Sequence, residues 1–267
     1  MSPRKQFNPE RGFSLIELLI SIAVFALIMG SVLSSVQDAT KRYRAQASEV
    51  SISQSGRQFF DQIVRDLHTA GFPSTRLFSV ACGNFCALPL VAVSNSDIVF
   101  EGDVDGSGNV LVIEYQLQTG AGGTCPCTVR RSSVIKNGPT TAANPVRNFS
   151  AELQNVVNSI GNNPFPYAIA GTTTWGTGGP TIADDVTYAT YKVSPVFTFL
   201  DQNGAVVAGI PPDLAGGNWA TGVALANAGN IRVVSVVLNL LSPTPDMKTY
   251  LRLSSSMRGM VKINNLN

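Results

Sequence analysis

The chain has 267 residues, 13% of them charged and 44% hydrophobic, with 19 Lys and Arg against 17 Asp and Glu. Charge at about half the level of ordinary soluble domains, nearly balanced in sign, leaves no electrostatic footprint for nucleic acid. A single His, His68, and no GxSxG, GxxxxGK[ST] or HExxH give the common hydrolytic, phosphoryl-transfer and zinc-protease chemistries no foothold. The chain reads as non-enzymatic.

The first element is apolar. From Phe13 to Leu33, 16 of 21 residues are apolar and none is Pro. At about 1.5 Å per residue, this run covers the ~30 Å hydrocarbon layer of a bilayer. Arg4, Lys5 and Arg11 precede it and Lys41, Arg42 and Arg44 follow it, so the positive-inside count is tied. Glu17 is the anomaly. A carboxylate in a spanning helix costs about 2.5–3.5 kcal/mol at the bilayer centre, less near an end, and usually has a partner. It is either a helix-start acid favoured by the macrodipole or half of a buried pair, because a carboxylate joined to an ammonium is tolerated where a lone one is penalised. A secretory signal peptide has a shorter apolar core of about 7–15 residues, cut after it at small residues, and does not fit.

The order Gly12-Phe13-Ser14-Leu15-Ile16-Glu17, behind a short polar leader, resembles the class III signal of type IV prepilins. That signal has a leader ending in Gly, an aromatic first mature residue and Glu at the fifth mature place. The resemblance covers Gly12 to Leu33. It implies that a membrane-embedded prepilin peptidase cuts after Gly12 and that Phe13 becomes the methylated N-terminus. It also implies that Glu17 pairs with the N-terminal amine of an adjacent subunit, which sets axial register. Residues 1–12 are then a leader. Its loss removes Arg4, Lys5, Arg11 and Glu10, leaving 16 bases against 16 acids.

Residues 13–36 read as a transmembrane or filament-core helix, and 37–72 as its amphipathic continuation. Val36, Ala39, Tyr43, Ala47, Val50, Phe60, Val64 and Leu67 recur at steps of three and four as an apolar stripe. Gly71 and Pro73 supply the stop, and Gly30 and Gly56 are weak points where the helix could bend. Ser34-Ser35 stands where many pilins carry Pro. The basic run Lys41-Arg42-Tyr43-Arg44 lies just past the span, where lipid headgroups are the plainest partner.

Residues 73–267 read as a β-rich extracytoplasmic domain. Period-two segments at 98–101, 110–117, 128–135, 191–200, 231–241, 249–253 and 260–263 predict strands. Turn residues separate them, among them Gly106-Ser107-Gly108-Asn109, Gln202-Asn203-Gly204 and Pro243-Thr244-Pro245. Residues 155–185, with Trp175, and 203–230, with Trp219, resist assignment and read as long loops. The arrangement is α+β, an antiparallel sheet laid on the amphipathic half-helix.

Four cysteines, Cys82, Cys86, Cys125 and Cys127, all follow the span, as disulfides in an oxidising periplasm require. Cys125 and Cys127 would close a strained ring, which favours crosslinks between the clusters, or Cys82–Cys86 with the other pair separate. Zinc is the alternative, but CxxxC and CxC lack the usual knuckle spacing. Asp103, Asp105, Ser107 and Asn109, with Glu114, match EF-hand spacing. Flanking strands argue against an EF-hand, since Glu114 would lie about 16 Å up its strand. A partial calcium site at Asp103, Asp105, Ser107 and a backbone carbonyl competes with a plain hairpin turn. No other cofactor is expected.

Phe197-Thr198-Phe199-Leu200-Asp201-Gln202-Asn203-Gly204, then Ile231 to Leu238 and a closing strand, resemble PilW-type minor pilins, with type II secretion pseudopilins of the J class sharing much of the pattern. This resemblance implies a pilin-like fold and a subunit of the complex that starts the filament at or near its tip. The implied partners are prepilin peptidase, other minor pilins, the major pilin and inner-membrane lipid. A tip adhesin or DNA-uptake binder using the Gly/Asn loops is the other class of reading.

Overall fold

The computed structural model describes residues 14–77, 85–118, 127–138, 147–158, 194–214, 229–245 and 252–264. Helix α1 runs without a break over Leu15–Thr69, and the chain divides into two compact units, Met1–Gln46 and Ala47–Asn267.

Within the first unit no described residue is buried. Leu15, Ile16, Phe25 and Leu27 are each more than 60% exposed. Four hydroxyls in this run are satisfied inside the helix: Ser21 donates to the Glu17 carbonyl, Ser31 to that of Ile28, Ser35 to that of Ser31 and Thr40 to that of Val36. Such back-bonding lets hydroxyl residues sit in an apolar surrounding without an orphan donor.

In the second unit the rest of α1 packs on an antiparallel sheet that has eight strands among the described residues, an α+β arrangement. The strands are β1 (Ala92–Val93), β2 (Asp97–Gly102), β3 (Leu111–Gln118), β4 (Cys127–Ile135), β5 (Phe149–Val156), β6 (Phe197–Leu200), β7 (Val233–Pro245) and β8 (Arg252–Lys262). Their order is β1-β2-β3-β4-β5-β7-β6, with β8 along the other side of β7. The β5–β7 join is a single pair, Val156 opposite Leu240. Buried Asn158 reinforces it, donating to the carbonyls of Pro195 and Val237 and accepting from the Asn239 amide.

Alternation along β2 and β3 sends Ile98, Phe100, Ile113 and Tyr115 to one face, where they form a core with Ile52, Phe59, Ile63 and Leu67 of α1. Each such side chain is worth about 1.5–3 kcal/mol when fully buried. Phe59 meets Tyr115 edge-on at 5.7 Å. On the other face Val99 and Val112 pack with Ala92 and Leu214, and two ion pairs form, the buried Glu101–Lys136 and the partly buried Glu114–Arg147, both at 2.9 Å. The helix stops as Gly71 takes a positive φ of 77° and its amide donates to the Glu101 carbonyl at 2.7 Å.

Several expectations need correction. The buried stripe of α1 is Ile52, Gly56, Phe59, Ile63, Asp66 and Leu67; Phe60 and Val64 pack at its margin, while Val36, Tyr43 and Val50 are exposed. The true stripe includes a glycine and an acid, which an apolar periodicity passes over. Gly56 is a contact point rather than a bend: a Cβ there would meet Met257 Cε at 2.7 Å and Leu240 Cδ1 at 3.0 Å. Arg252 and Leu253, the described end of the segment 249–253, belong to one strand with Met260 to Lys262, because Ser254, Ser255 and Ser256 continue the ladder opposite Leu241, Leu240 and Asn239; residues 249–251 lie outside the described residues. Pro243-Thr244-Pro245 ends β7 beyond a register shift instead of forming a separate turn. Strand β5 has no predicted counterpart, although its residues Phe149 to Gln154 alternate apolar and polar.

Candidate functional site

The first turn of α1 builds the site that bears on function. Ser14 is its N-cap: the Ser14 hydroxyl accepts from the Ile16 amide at 3.4 Å, and the Glu17 carboxylate reaches back to accept from the Ser14 amide at 3.3 Å. Glu17 makes its half of a Ser-x-x-Glu capping box, while Ser14 caps the second helical amide in place of the third; the Ser-x-x-Glu spacing is a signal present in the sequence. Glu17 thus does the helix-start work expected of an acid beside the positive end of the dipole. It is exposed and makes no ion pair among the described residues. Gly12 and Phe13 lie outside the described residues. An 18-residue window of α1 has mean hydropathy 2.5, with none of it buried, so by length and composition the helix can cross a membrane.

Residues 7–33 match the family described as the prokaryotic N-terminal methylation motif. The chain carries a prepilin-type signal. Comparison with curated proteins and with solved structures found no match. With the unburied apolar helix behind it, the prepilin-type signal supports an inner-membrane-anchored, pilin-like or pseudopilin protein, processed by prepilin peptidase and assembling with other pilins. The signal points to a structural subunit in preference to an enzyme.

The Asp103–Asn109 loop spends its carboxylates on its own backbone. Asp103 Oδ2 accepts from the Gly108 amide and Asp105 Oδ1 from the Ser107 amide, both at 3.0 Å, while the Asn109 amide donates to the Ser107 hydroxyl. The Ser107 hydrogen bonds hold the Asp105 carboxyl below its ordinary value. Glu114 lies within β3 opposite Ser132 and Val99, paired with Arg147 and away from this loop's hydrogen bonds. Among the described residues no group of three or more His, Cys, Asp or Glu comes together.

Cys86 and Cys127 are buried, and both are disulfide-bonded. Cys82 and Cys125 lie outside the described residues, as do Trp175 and Trp219. Lys136 donates to the Cys86 carbonyl at 2.7 Å and to Glu101 at 2.9 Å, which ties the Cys86 segment to the sheet. His68 falls in the last turn of α1.

A second polar centre escaped the sequence reading. Asp66 Oδ2 accepts from the Tyr115 hydroxyl at 2.6 Å and from Arg131 Nε at 2.8 Å, joining α1 to β3 and β4. Burial, with Asp66 beside it, pushes the Tyr115 phenol well above its ordinary value. For Arg131, burial works against the charge but the Asp66 carboxylate outweighs it, so the guanidinium is held above its ordinary value. The three groups satisfy one another, which is what a polar cluster under a helix requires. Asp66 at a step of three from Ile63 was the available clue, masked by its charge.

Proposed function

We propose that this protein is a PilW-like minor pilin of a type IV pilus. It is cleaved after Gly12 by prepilin peptidase, methylated at Phe13, and held in the inner membrane by residues 13–36 with residues 73–267 in the periplasm until assembly. In the filament Glu17 pairs with the amine of a neighbouring subunit, and other minor pilins and the major pilin surround the apolar helix. Moving that helix from lipid into a helical bundle gains little hydrophobic energy, so association rests on close packing and on the charge pair. The observation that carries this reading is Glu17 inside the methylation motif, at the head of a helix none of whose residues 15–46 is buried.

Mass spectrometry of the mature chain tests it directly. N-methylated Phe13 at the terminus supports the reading, and an intact leader overturns it. Deletion of the gene should abolish twitching or surface pili and leave exoprotein secretion intact. The reverse phenotype would assign the chain to a type II secretion pseudopilus. Binding of DNA or surfaces by the purified protein would add a role for the loops at the tip.

A further inference from the structure

Beyond the signal and the span, α1 carries a second charged feature. Lys41, Arg42 and Arg44 follow the apolar run with one acid, Asp38, nearby. Arg42, Tyr43 and Arg44 are exposed, Tyr43 at 72%, and Lys41 is half-buried. No ion pair or side-chain hydrogen bond engages any of the three bases among the described residues, although Asp38 stands one turn before Lys41 and Arg42. At 100° per residue, Arg44, Lys41 and Arg42 fan around about 160° of the helix, with Tyr43 on the remaining side. They form a collar instead of a stripe, which suits a planar surface crossing the helix better than a partner lying along it.

Depth agrees with this. From Val36, where the apolar run gives way, Lys41 to Arg44 lie about 8–12 Å further along the helix axis. Headgroups occupy roughly the 5–8 Å outside each face of the hydrocarbon layer, and Lys and Arg side chains reach back toward it. An exposed Tyr among bases at this level is the usual membrane-interface composition.

We propose that Lys41, Arg42 and Arg44 form a binding collar for anionic lipid phosphates at the outer face of the membrane, with Tyr43 seated among the headgroups. The collar rests on the pilin reading, because the outer face is defined by it. Cleavage after Gly12 removes Arg4, Lys5 and Arg11 from the other side. The collar is then the sole basic cluster flanking the span, and it holds the stored subunit until filament neighbours replace the lipid.

The test uses the full chain in nanodiscs or micelles of mixed phosphatidylglycerol and phosphatidylcholine, with co-purifying lipid counted by mass spectrometry. Wild type should retain phosphatidylglycerol severalfold over phosphatidylcholine, and 1 M salt should erase the preference. Each of Lys41→Gln, Arg42→Gln and Arg44→Gln should lower it by up to about fivefold, and the triple variant carrying all three should abolish it, with helix content unchanged by circular dichroism. Inorganic phosphate at equal concentration should fail to displace the lipid if the bilayer headgroup is the ligand. Displacement would overturn that assignment in favour of a free-anion site. Equal retention of both lipids, or an unchanged preference in the triple variant, would overturn the collar and leave the pilin reading standing. Failure of wild type to enter any bilayer would remove the membrane reading itself.

Discussion

Among the described residues Glu17, in the first turn of α1, accepts from the Ser14 amide alone, whereas Asp66, in the last turn, accepts from both Tyr115 and Arg131. Around Glu17 the apolar side chains are exposed; around Asp66 they are buried. One helix therefore carries two unlike stretches. From Ile52 onward its face is satisfied by the sheet of the same chain, and up to Gln46 no described residue of the same unit covers it. An acid whose hydrogen bonds are closed within the fold is a structural member. The pairing proposed for Glu17 would add an outside partner to an acid whose one described hydrogen bond comes from the Ser14 amide.

The largest expected effects come from exchanging the roles of these two acids. Glu17→Ala should leave thermal unfolding of the 47–267 unit unchanged in detergent-solubilised full chain, and abolish incorporation into filaments. Asp66→Ala should do the opposite first. It strands Arg131 and the Tyr115 hydroxyl, at a cost of about 2–4 kcal/mol, less than for a fully buried ion pair because Arg131 and Asp66 keep some solvent contact. Near-UV circular dichroism through a thermal melt reads the loss. If Glu17→Ala lowered the melt, or Asp66→Ala spared it, the contrast between the two stretches would be wrong.

Two glycines sharpen the same contrast at smaller scale. Gly259 of β8 sits against the Phe60 ring, so that a Cβ at 259 would collide with it, while a Cβ at Gly30 would meet nothing within 4 Å. Gly259→Val should cost about 1–3 kcal/mol through overpacking, again read in the melt. Gly30→Ala should leave the melt unchanged in the isolated chain, and raise helix content slightly, by up to about 1 kcal/mol of propensity. A penalty at Gly30 in filament incorporation, absent from the isolated chain, would locate a close helix contact there.

The apolar run, the signal and the central strands were legible because their information is local: an uninterrupted hydrophobic length, a fixed spacing to Glu17, and period-two alternation in β2, β3 and β4. The helix stripe was not, because Gly56 and Asp66 are buried through contacts supplied by β8, β3 and β4, far away in sequence. Strand β5 escaped for a related reason. Its residues Phe149 to Gln154 alternate apolar and polar, but only Leu153 and Val156 are buried, so pairing with β4, rather than a buried face of its own, holds the strand. β8 was split at Ser254-Ser255-Ser256, where β7 imposes extended backbone that the residues do not ask for. At the candidate site Glu17 was legible and its Ser14 partner was equally so; the capping pattern was there to be read.

A smaller effect concerns the buried turn before β2. Asp97 Oδ2 accepts from the hydroxyls of Ser94 and Ser96 and from the Leu214 amide. Burial holds its carboxyl above the ordinary value of 3.8, with the Ser96, Ser94 and Leu214 hydrogen bonds acting the other way. A raised folded-state value means the folded chain binds the proton more tightly than the unfolded one. The stabilisation is full below about 3.8 and is lost as pH rises through the folded value. Asp97→Asn, which imitates the neutral form, should therefore gain in melting temperature relative to wild type as pH is raised from 4 to 7. A difference that stays flat or shrinks would mean the carboxylate contributes hydrogen bonds the amide cannot replace.

The smallest expected effect tests whether the 47–267 unit needs anything from outside at all. Its Asp103–Asn109 loop has the composition of a calcium loop, but the Asp103 and Asp105 carboxylates already accept from the Gly108 and Ser107 amides, and Glu114 is paired with Arg147. A cation would have to replace those bonds with few charged ligands. A site filled at a hundred times its Kd would add about 2.7 kcal/mol, a shift of several degrees. The melting temperature should instead agree within about 1 °C between millimolar calcium and excess chelator. A larger rise with calcium would give the loop an ion and make the second unit, like the apolar stretch before it, dependent on a partner the chain does not supply.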